Sequence, residues 1–396
     1  MVQKQFRLAI FTMIHVALFS QIYLAHLLWQ TSEPDEWILG EWLINYQGGF
    51  IRRGLLGEIL FQLSHLLSIN VVHLTIIAQI IVFAVFLYST YFLIKESPLS
   101  PATVALIFSP AFLLFTVWSW PYVSVRKEVF LYITLVYTCL YRQRSTPKGF
   151  SLPILIGISA IVLVLIHEML VAYLSYLIIP VILYERRFGQ LARRTLLALL
   201  PSMIVAILLV TRPTINETTW KVLCSSIQPV PPRDCLSHGE YLGAITFLTK
   251  DTFFGIQFTR LFTTPETVVV YVLTSLLSVI PILYVVYSYK LWERLARTVL
   301  FLIGLCFSAT IVLTIPLFIV AADYGRFISI HITCISLTIL WFLQLSPARI
   351  DPETHQTPFV WIGIVLFLIN WKLPIWLLFA TFQHAFPLIS LLLAQR

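Results

Sequence analysis

Apolar residues run along this chain in stretches of about 20, separated by short polar breaks. A hydrocarbon core of about 30 Å takes a helix of that length to cross. On that criterion spans are predicted at 7–29, 71–94, 101–120, 123–141, 150–166, 169–184, 195–211, 267–287, 298–321, 327–345, 358–371 and 373–394, about eleven or twelve in all. Two segments interrupt the alternation. The first, 30–70, reads from Ile38 as two helices broken at Gly48-Gly49. The second of them shows Ile51, Leu55, Ile59, Leu63, Leu66 and Leu67 on one broad apolar face, the pattern of a helix lying in the membrane interface. The other, 212–266, is a long polar loop too short for an independent core. The pattern predicts an all-α polytopic membrane protein, with residues 1–396 as a single transmembrane domain.

Composition agrees: of 396 residues 59% are hydrophobic and only 11% charged, and mean hydropathy is +0.89, which excludes an ordinary soluble globule. The first span begins after Lys4 and Arg7 and has no small-residue cleavage site, so it is expected to be retained. Lys95, Arg142, Arg144, Lys148, Arg186, Arg187, Arg193, Arg194, Lys290, Arg294, Arg297 and Arg349 fall on the same side as Lys4 and Arg7. The positive-inside rule makes that side, and the N-terminus, cytoplasmic. Topology thus accounts for much of the net charge of +8, and no nucleic-acid partner is needed to explain it. Segments 30–70 and 212–266 fall on the opposite face.

Of the cysteines, Cys139, Cys306 and Cys334 lie in or beside apolar spans and read as packing residues. Cys224 and Cys235 lie in the outer loop, where an oxidising compartment lets them pair. With His238 they fall short of a four-ligand metal site, and no metal centre is assigned.

Candidate chemistry gathers on the outer face. Asp35 and Glu36, in Ser32-Glu33-Pro34-Asp35-Glu36-Trp37, are read either as a general base for an acceptor hydroxyl or as the acidic start of a helix. Arg52 and Arg53 follow the double glycine and are taken to open the second helix, with Glu58 one turn on. That arrangement suits a phosphate group, and its alternative is lipid anchoring by snorkelling arginines. Arg126, Lys127 and Glu128 sit between apolar spans with almost no loop to hold them. A charge at mid-membrane costs about 2.5–3.5 kcal/mol, so these face a ligand or an inter-span salt bridge. His167-Glu168 and Asp323-Tyr324-Gly325-Arg326 complete the set, as acid–base, sugar-orienting or phosphate-binding groups or as ordinary helix-end polar residues. His15, His26, His331 and His384 read as packing or hydrogen-bonding residues.

No P-loop, dinucleotide-binding or nucleophile-elbow pattern is present, so no nucleotide cofactor is expected; divalent-metal dependence stays open. The acidic Asp35-Glu36 pair in the first outer loop, the interfacial helices after it and the outer-face arginines resemble the GT-C membrane glycosyltransferases. The arginine-rich outer loops resemble, in architecture, O-antigen polymerases of the Wzy type. The Gly48-Gly49-Phe50-Ile51-Arg52-Arg53-Gly54 run departs from common GT-C patterns, and a large C-terminal outer domain is lacking. The resemblance implies a bacterial inner-membrane glycosyltransferase or polysaccharide polymerase working on its periplasmic face. Its partners would be a polyprenyl-phosphate- or polyprenyl-pyrophosphate-linked sugar donor, a glycan acceptor and membrane lipids. Asp35, Glu36, Glu58, His167, Glu168 and Asp323 would supply acid–base or sugar-orienting groups, and Arg52, Arg53, Arg126, Lys127 and Arg326 would bind phosphate. The competing expectations are a flippase for anionic lipid-linked saccharides and a non-catalytic envelope-assembly subunit.

Overall fold

A computed structural model of the chain describes residues 2–30, 35–118, 126–144, 151–186, 188–211, 214–229, 231–236, 242–345, 358–375, 377 and 380–394. Ser32, Glu33, Pro34, Lys148, Arg187, His238 and Arg349, all named above, lie outside the described residues. Every regular element among the described residues is helical. Among the described residues seven helices are long and apolar enough to cross a membrane: Lys4–Leu27, Val71–Ile94, Glu168–Glu185, Gln190–Val210, Pro265–Ser288, Arg297–Val320 and Tyr324–Leu345. Shorter apolar helices follow at Gly54–Leu67, Val129–Tyr141, Leu152–Ile166 and Pro358–Ile369. This is an all-α polytopic membrane protein.

Among the described residues the eleven or twelve expected spans appear as seven long helices and several shorter ones, and in two of the runs prolines cut the helix. The run at 101–120 divides into Pro101–Ile107 and Leu113–Trp118 around Ser109-Pro110. Within the run at 373–394 the described helices are Phe382–Ala385 and, after a break at Pro387, Pro387–Ala394. Proline removes a backbone donor and drives the residue before it out of helical geometry, which hydropathy alone does not register. Helix starts follow the local chemistry: Asn70 accepts the Val72 amide at 2.8 Å, and Thr264 and Thr267 form a reciprocal cap with Pro265 at the first turn.

Burial sorts the spans. Glu168–Glu185 and Tyr324–Leu345 are 78% and 67% buried and form the centre, whereas Arg297–Val320 is 17% buried and turns Phe301, Leu305, Ile311 and Val312 outward, as a helix facing lipid does. Within the bundle the isolated histidines make the expected hydrogen bonds: His331 bridges Tyr176 and Thr314, and His15 contacts Tyr88.

The segment after the first span differs from its expected helix pair. Its first helix is a single turn, Gly40–Leu43, and the second begins at Gly54 rather than at the arginines. Gly49 adopts φ +117°, a conformation glycine takes without steric cost, and Arg53 sits at φ 66°, so the chain turns twice before the helix begins. Ile59, Leu63, Leu66 and Leu67 are exposed along the Gly54–Leu67 helix, as expected for its apolar face, but Ile51 is buried and precedes it. A side chain at Gly57 would run into the Ile44 carbonyl; glycine lets this helix cross the first turn closely. Cys224 and Cys235 are joined by a disulfide, with Cα atoms 5.4 Å apart, while Cys139, Cys306 and Cys334 are free thiols.

Candidate functional site

Helix ends distant in sequence meet at one end of the bundle: the Gly40–Leu43 turn, Arg52-Arg53 before the Gly54–Leu67 helix, Arg126 to Glu128 before Val129–Arg144, His167-Glu168 after Ser151–Ile166, and the first turn of Tyr324–Leu345. Their charged side chains form one network. Glu41 is its hub. Arg126 donates through Nη1 to Glu41 Oε2 at 2.7 Å, and Arg326 Nη2 to Glu41 Oε1 at 3.3 Å. His167 Nε2 lies 3.0 Å from the same Oε1. Arg326 also grips Glu128 with two hydrogen bonds, Nε to Oε1 at 2.8 Å and Nη2 to Oε2 at 2.7 Å, and reaches Asp323 at 3.3 Å. Arg53 holds Glu168 bidentately, with contacts of 2.7–3.0 Å. Lys127 Nζ donates to the Arg53 carbonyl at 2.9 Å and the Ile166 carbonyl at 3.2 Å.

Glu41, Arg126, Lys127, Glu128, His167 and Arg326 are each at most 4% exposed. Burial on that scale costs several kcal/mol per isolated ion and is tolerated where charges are paired and hydrogen-bonded. Ionisation follows from the pairing. Burial opposes the charge on Glu41, but Arg326 and Arg126 outweigh it and hold the carboxyl well below its usual range. Burial and the nearby Arg53 push His167 down to about 4, so near neutrality it is uncharged. Its Nδ1 accepts the Met169 amide at 3.4 Å, which places the proton on Nε2, facing Glu41. Burial brings Lys127, just before the helix, down to about 7.

Of the residues expected to carry chemistry, Arg53, Arg126, Lys127, His167, Glu168, Asp323 and Arg326 come together here. Arg52 stands at the edge, 31% exposed, with Nη1 3.9 Å from Glu168 Oε1. Glu58 does not join: its carboxylate accepts the Tyr46 amide at 2.9 Å and side-chain bonds from Gln47 and Gln62, stapling the preceding turn. Asp35 is engaged locally, its Oδ1 accepting the Trp37 and Ile38 amides at 2.9 and 2.5 Å. The carboxylate that this acidic segment sends into the network is Glu41, which the sequence reading missed. Its signal was present: Glu41 is a lone carboxylate inside Ile38-Leu39-Gly40-Glu41-Trp42-Leu43-Ile44, and a charge buried in so apolar a run needs a partner.

Glu36 is oriented toward the disulfide-closed loop. Its carbonyl accepts the Ala244 amide at 3.0 Å, and it flanks Gly243 together with Asp234. Asp234 is fully buried; Oδ2 accepts the Ile245 and Thr246 amides at 3.0 Å, whereas Oδ1 has no hydrogen-bond partner among the described residues. Burial, reinforced by Glu36 and opposed by the two amides, raises Asp234 from 3.8 to about 6. A raised carboxyl binds its proton more tightly in the folded chain than in the unfolded one, so Asp234 withdraws stability as pH climbs from about 4 to about 6 and no further above that. Asp234→Asn is expected to flatten the unfolding temperature across that window relative to the wild type; an unchanged slope would show that Asp234 titrates normally.

Among the described residues no group of three or more His, Cys, Asp or Glu side chains is placed to hold a metal ion. The family described as Uncharacterised membrane protein Rv1490 matches residues 8–253, more than half of the chain, and the protein belongs to that family. No curated protein and no solved structure matches it.

Proposed function

We propose that this member of the family transfers a glycosyl group from a polyprenyl-phosphate or polyprenyl-pyrophosphate donor to a glycan acceptor, on the periplasmic face of a bacterial inner membrane. The observation that carries the reading is the edge of the charge network: Arg52, partly exposed beside the carboxylate that Arg53 already occupies, adds positive charge at the rim of a buried and otherwise paired cluster. A leaving phosphate develops negative charge as its bond to the sugar breaks, and preorganised cations in a partly dry site stabilise that charge strongly.

In the step proposed, the acceptor hydroxyl oxygen attacks the anomeric carbon, the carbon–oxygen bond to phosphate breaks with its electron pair on the phosphate oxygen, and the hydroxyl proton passes to a carboxylate. Glu36 suits that last role better than Asp35. Asp35 already caps two amides, while Glu36 follows it in the chain beside the second carboxyl of Asp234. Glu41, Glu128 and Glu168 hold the cations in place. Among the described residues the buried charges of the network gather at helix ends, which favours chemistry over a transport path along the spans.

Purified protein supplied with a lipid-linked saccharide and an acceptor is expected to yield a longer or transferred glycan. Unchanged saccharide that appears in the opposite leaflet of a proteoliposome would instead mean a flippase, and neither outcome would mean a structural subunit.

A further inference from the structure

The twin arginines are adjacent in sequence but unlike in surroundings. Arg53 spends Nε and Nη2 on Glu168, at 2.7–3.0 Å, and is held in the left-handed backbone region at φ 66°. A side-chain-bearing residue resists that conformation, so it persists where its surroundings enforce it. The enforcing contact is on the backbone itself: the Arg53 carbonyl accepts Lys127 Nζ at 2.9 Å. The same ammonium takes the Ile166 carbonyl at 3.2 Å, immediately before His167-Glu168. Lys127 is fully buried, so its hydrogen-bonding capacity is directed at these carbonyls rather than at solvent. One side chain therefore clamps the arginine turn to the segment that carries Glu168.

Arg52 is the arginine this leaves available. Its Nη1 stands 3.9 Å from Glu168 Oε1, beyond hydrogen-bond length, and that oxygen already accepts two bonds from Arg53. Its guanidinium makes an ion pair at this range but no hydrogen bond among the described residues, and its side chain is 31% exposed against 8% for Glu168. A planar guanidinium with unspent donors beside a neutralised carboxylate is built to take a phosphate oxygen pair.

We infer that the two arginines divide the work: Arg52 binds the phosphate group, and Lys127 is a positioning residue that, by fixing the Arg53 turn against Ile166, presents Arg52 to it. The inference rests on the reading above only for the phosphate-bearing ligand and does not require glycosyl transfer. It also reassigns Lys127, which the sequence suggested as a phosphate ligand, to a contact with backbone carbonyls.

The test is binding to detergent-purified protein by calorimetry, with farnesyl phosphate and inorganic phosphate as probes and farnesol as the uncharged control. Wild type is expected to bind farnesyl phosphate and not farnesol; binding of inorganic phosphate as well would show that the phosphate alone is recognised, and its absence that the lipid is needed too. Arg52→Gln should weaken farnesyl phosphate by about tenfold or more at an unchanged unfolding temperature, the loss of a charge-assisted bond. Lys127→Met should weaken it severalfold in wild type and add nothing in the Arg52→Gln background. A merely structural lysine would cost the same factor in both backgrounds. Lys127→Gln, which keeps a donor, is the substitute should Lys127→Met fail to fold. Unchanged affinity in Arg52→Gln, additive losses, or a wild type that binds neither phosphate probe would overturn the inference. A wild type that binds with this pattern yet transfers no glycan would overturn the enzyme reading and leave this one standing.

Discussion

Glu41→Gln is expected to lower the stability of the folded protein by about 3–5 kcal/mol, the cost of breaking a buried ion pair from one side. The shape of the side chain is conserved while its charge is lost. Arg126, 3% exposed, keeps the Trp37 carbonyl at 3.3 Å but loses its partner at 2.7 Å, and its Nε already lacks one among the described residues. Arg326 keeps Glu128 and Asp323, so the loss falls unevenly, and a double-mutant cycle should give a larger coupling for Glu41 with Arg126 than with Arg326. Thermal or denaturant unfolding in detergent measures it. The pH dependence has a definite sign. Because its pairing holds Glu41 below the usual carboxylate range, its contribution is full above about pH 4.5 and fades as pH falls. A Glu41→Gln protein as stable as wild type at neutral pH would mean that the cluster is not held by this hub.

Arg52→Ala is expected to leave stability and membrane insertion nearly intact and to reduce glycan transfer by about 10²–10³-fold, the range observed when one donor to a developing oxyanion is removed. The contrast with its neighbour is informative. Arg53→Ala strips Glu168 of its bidentate partner and leaves an 8%-exposed carboxylate with Arg52 at 3.9 Å, so it should damage stability along with activity. Measuring unfolding and turnover on the same purified samples separates the two effects. Full activity in Arg52→Ala would remove the phosphate assignment and return this arginine to lipid anchoring.

Much of this arrangement could be read from the chain because the bilayer imposes simple rules. Long apolar runs mark the spans, and charges that interrupt them, such as Arg126 to Glu128 or Asp323 and Arg326, are costly enough to signal partners. That they would meet one another was not readable, since their partners lie up to 285 residues apart, as Arg326 and Glu41 do. Proximity in sequence misled in both directions. Glu58 lies close to the arginines yet bonds Tyr46, Gln47 and Gln62, whereas Glu41, passed over among apolar neighbours, sits at the centre. The left-handed turn at Arg53 was hidden for a different reason. Nothing in the residue's identity calls for it; the Lys127 and Glu168 contacts impose it. Hydropathy also passed over the prolines that divide the apolar runs at 101–120 and 373–394.

The most direct measurement of the central claim is product analysis by mass spectrometry after purified protein in proteoliposomes has been given a polyprenyl-pyrophosphate-linked saccharide and an acceptor glycan. The account predicts a new glycosidic linkage and an equal amount of freed polyprenyl pyrophosphate with wild type, and about 10²–10³-fold less of both with Arg52→Ala. A donor recovered intact with wild type, in either leaflet, would contradict it.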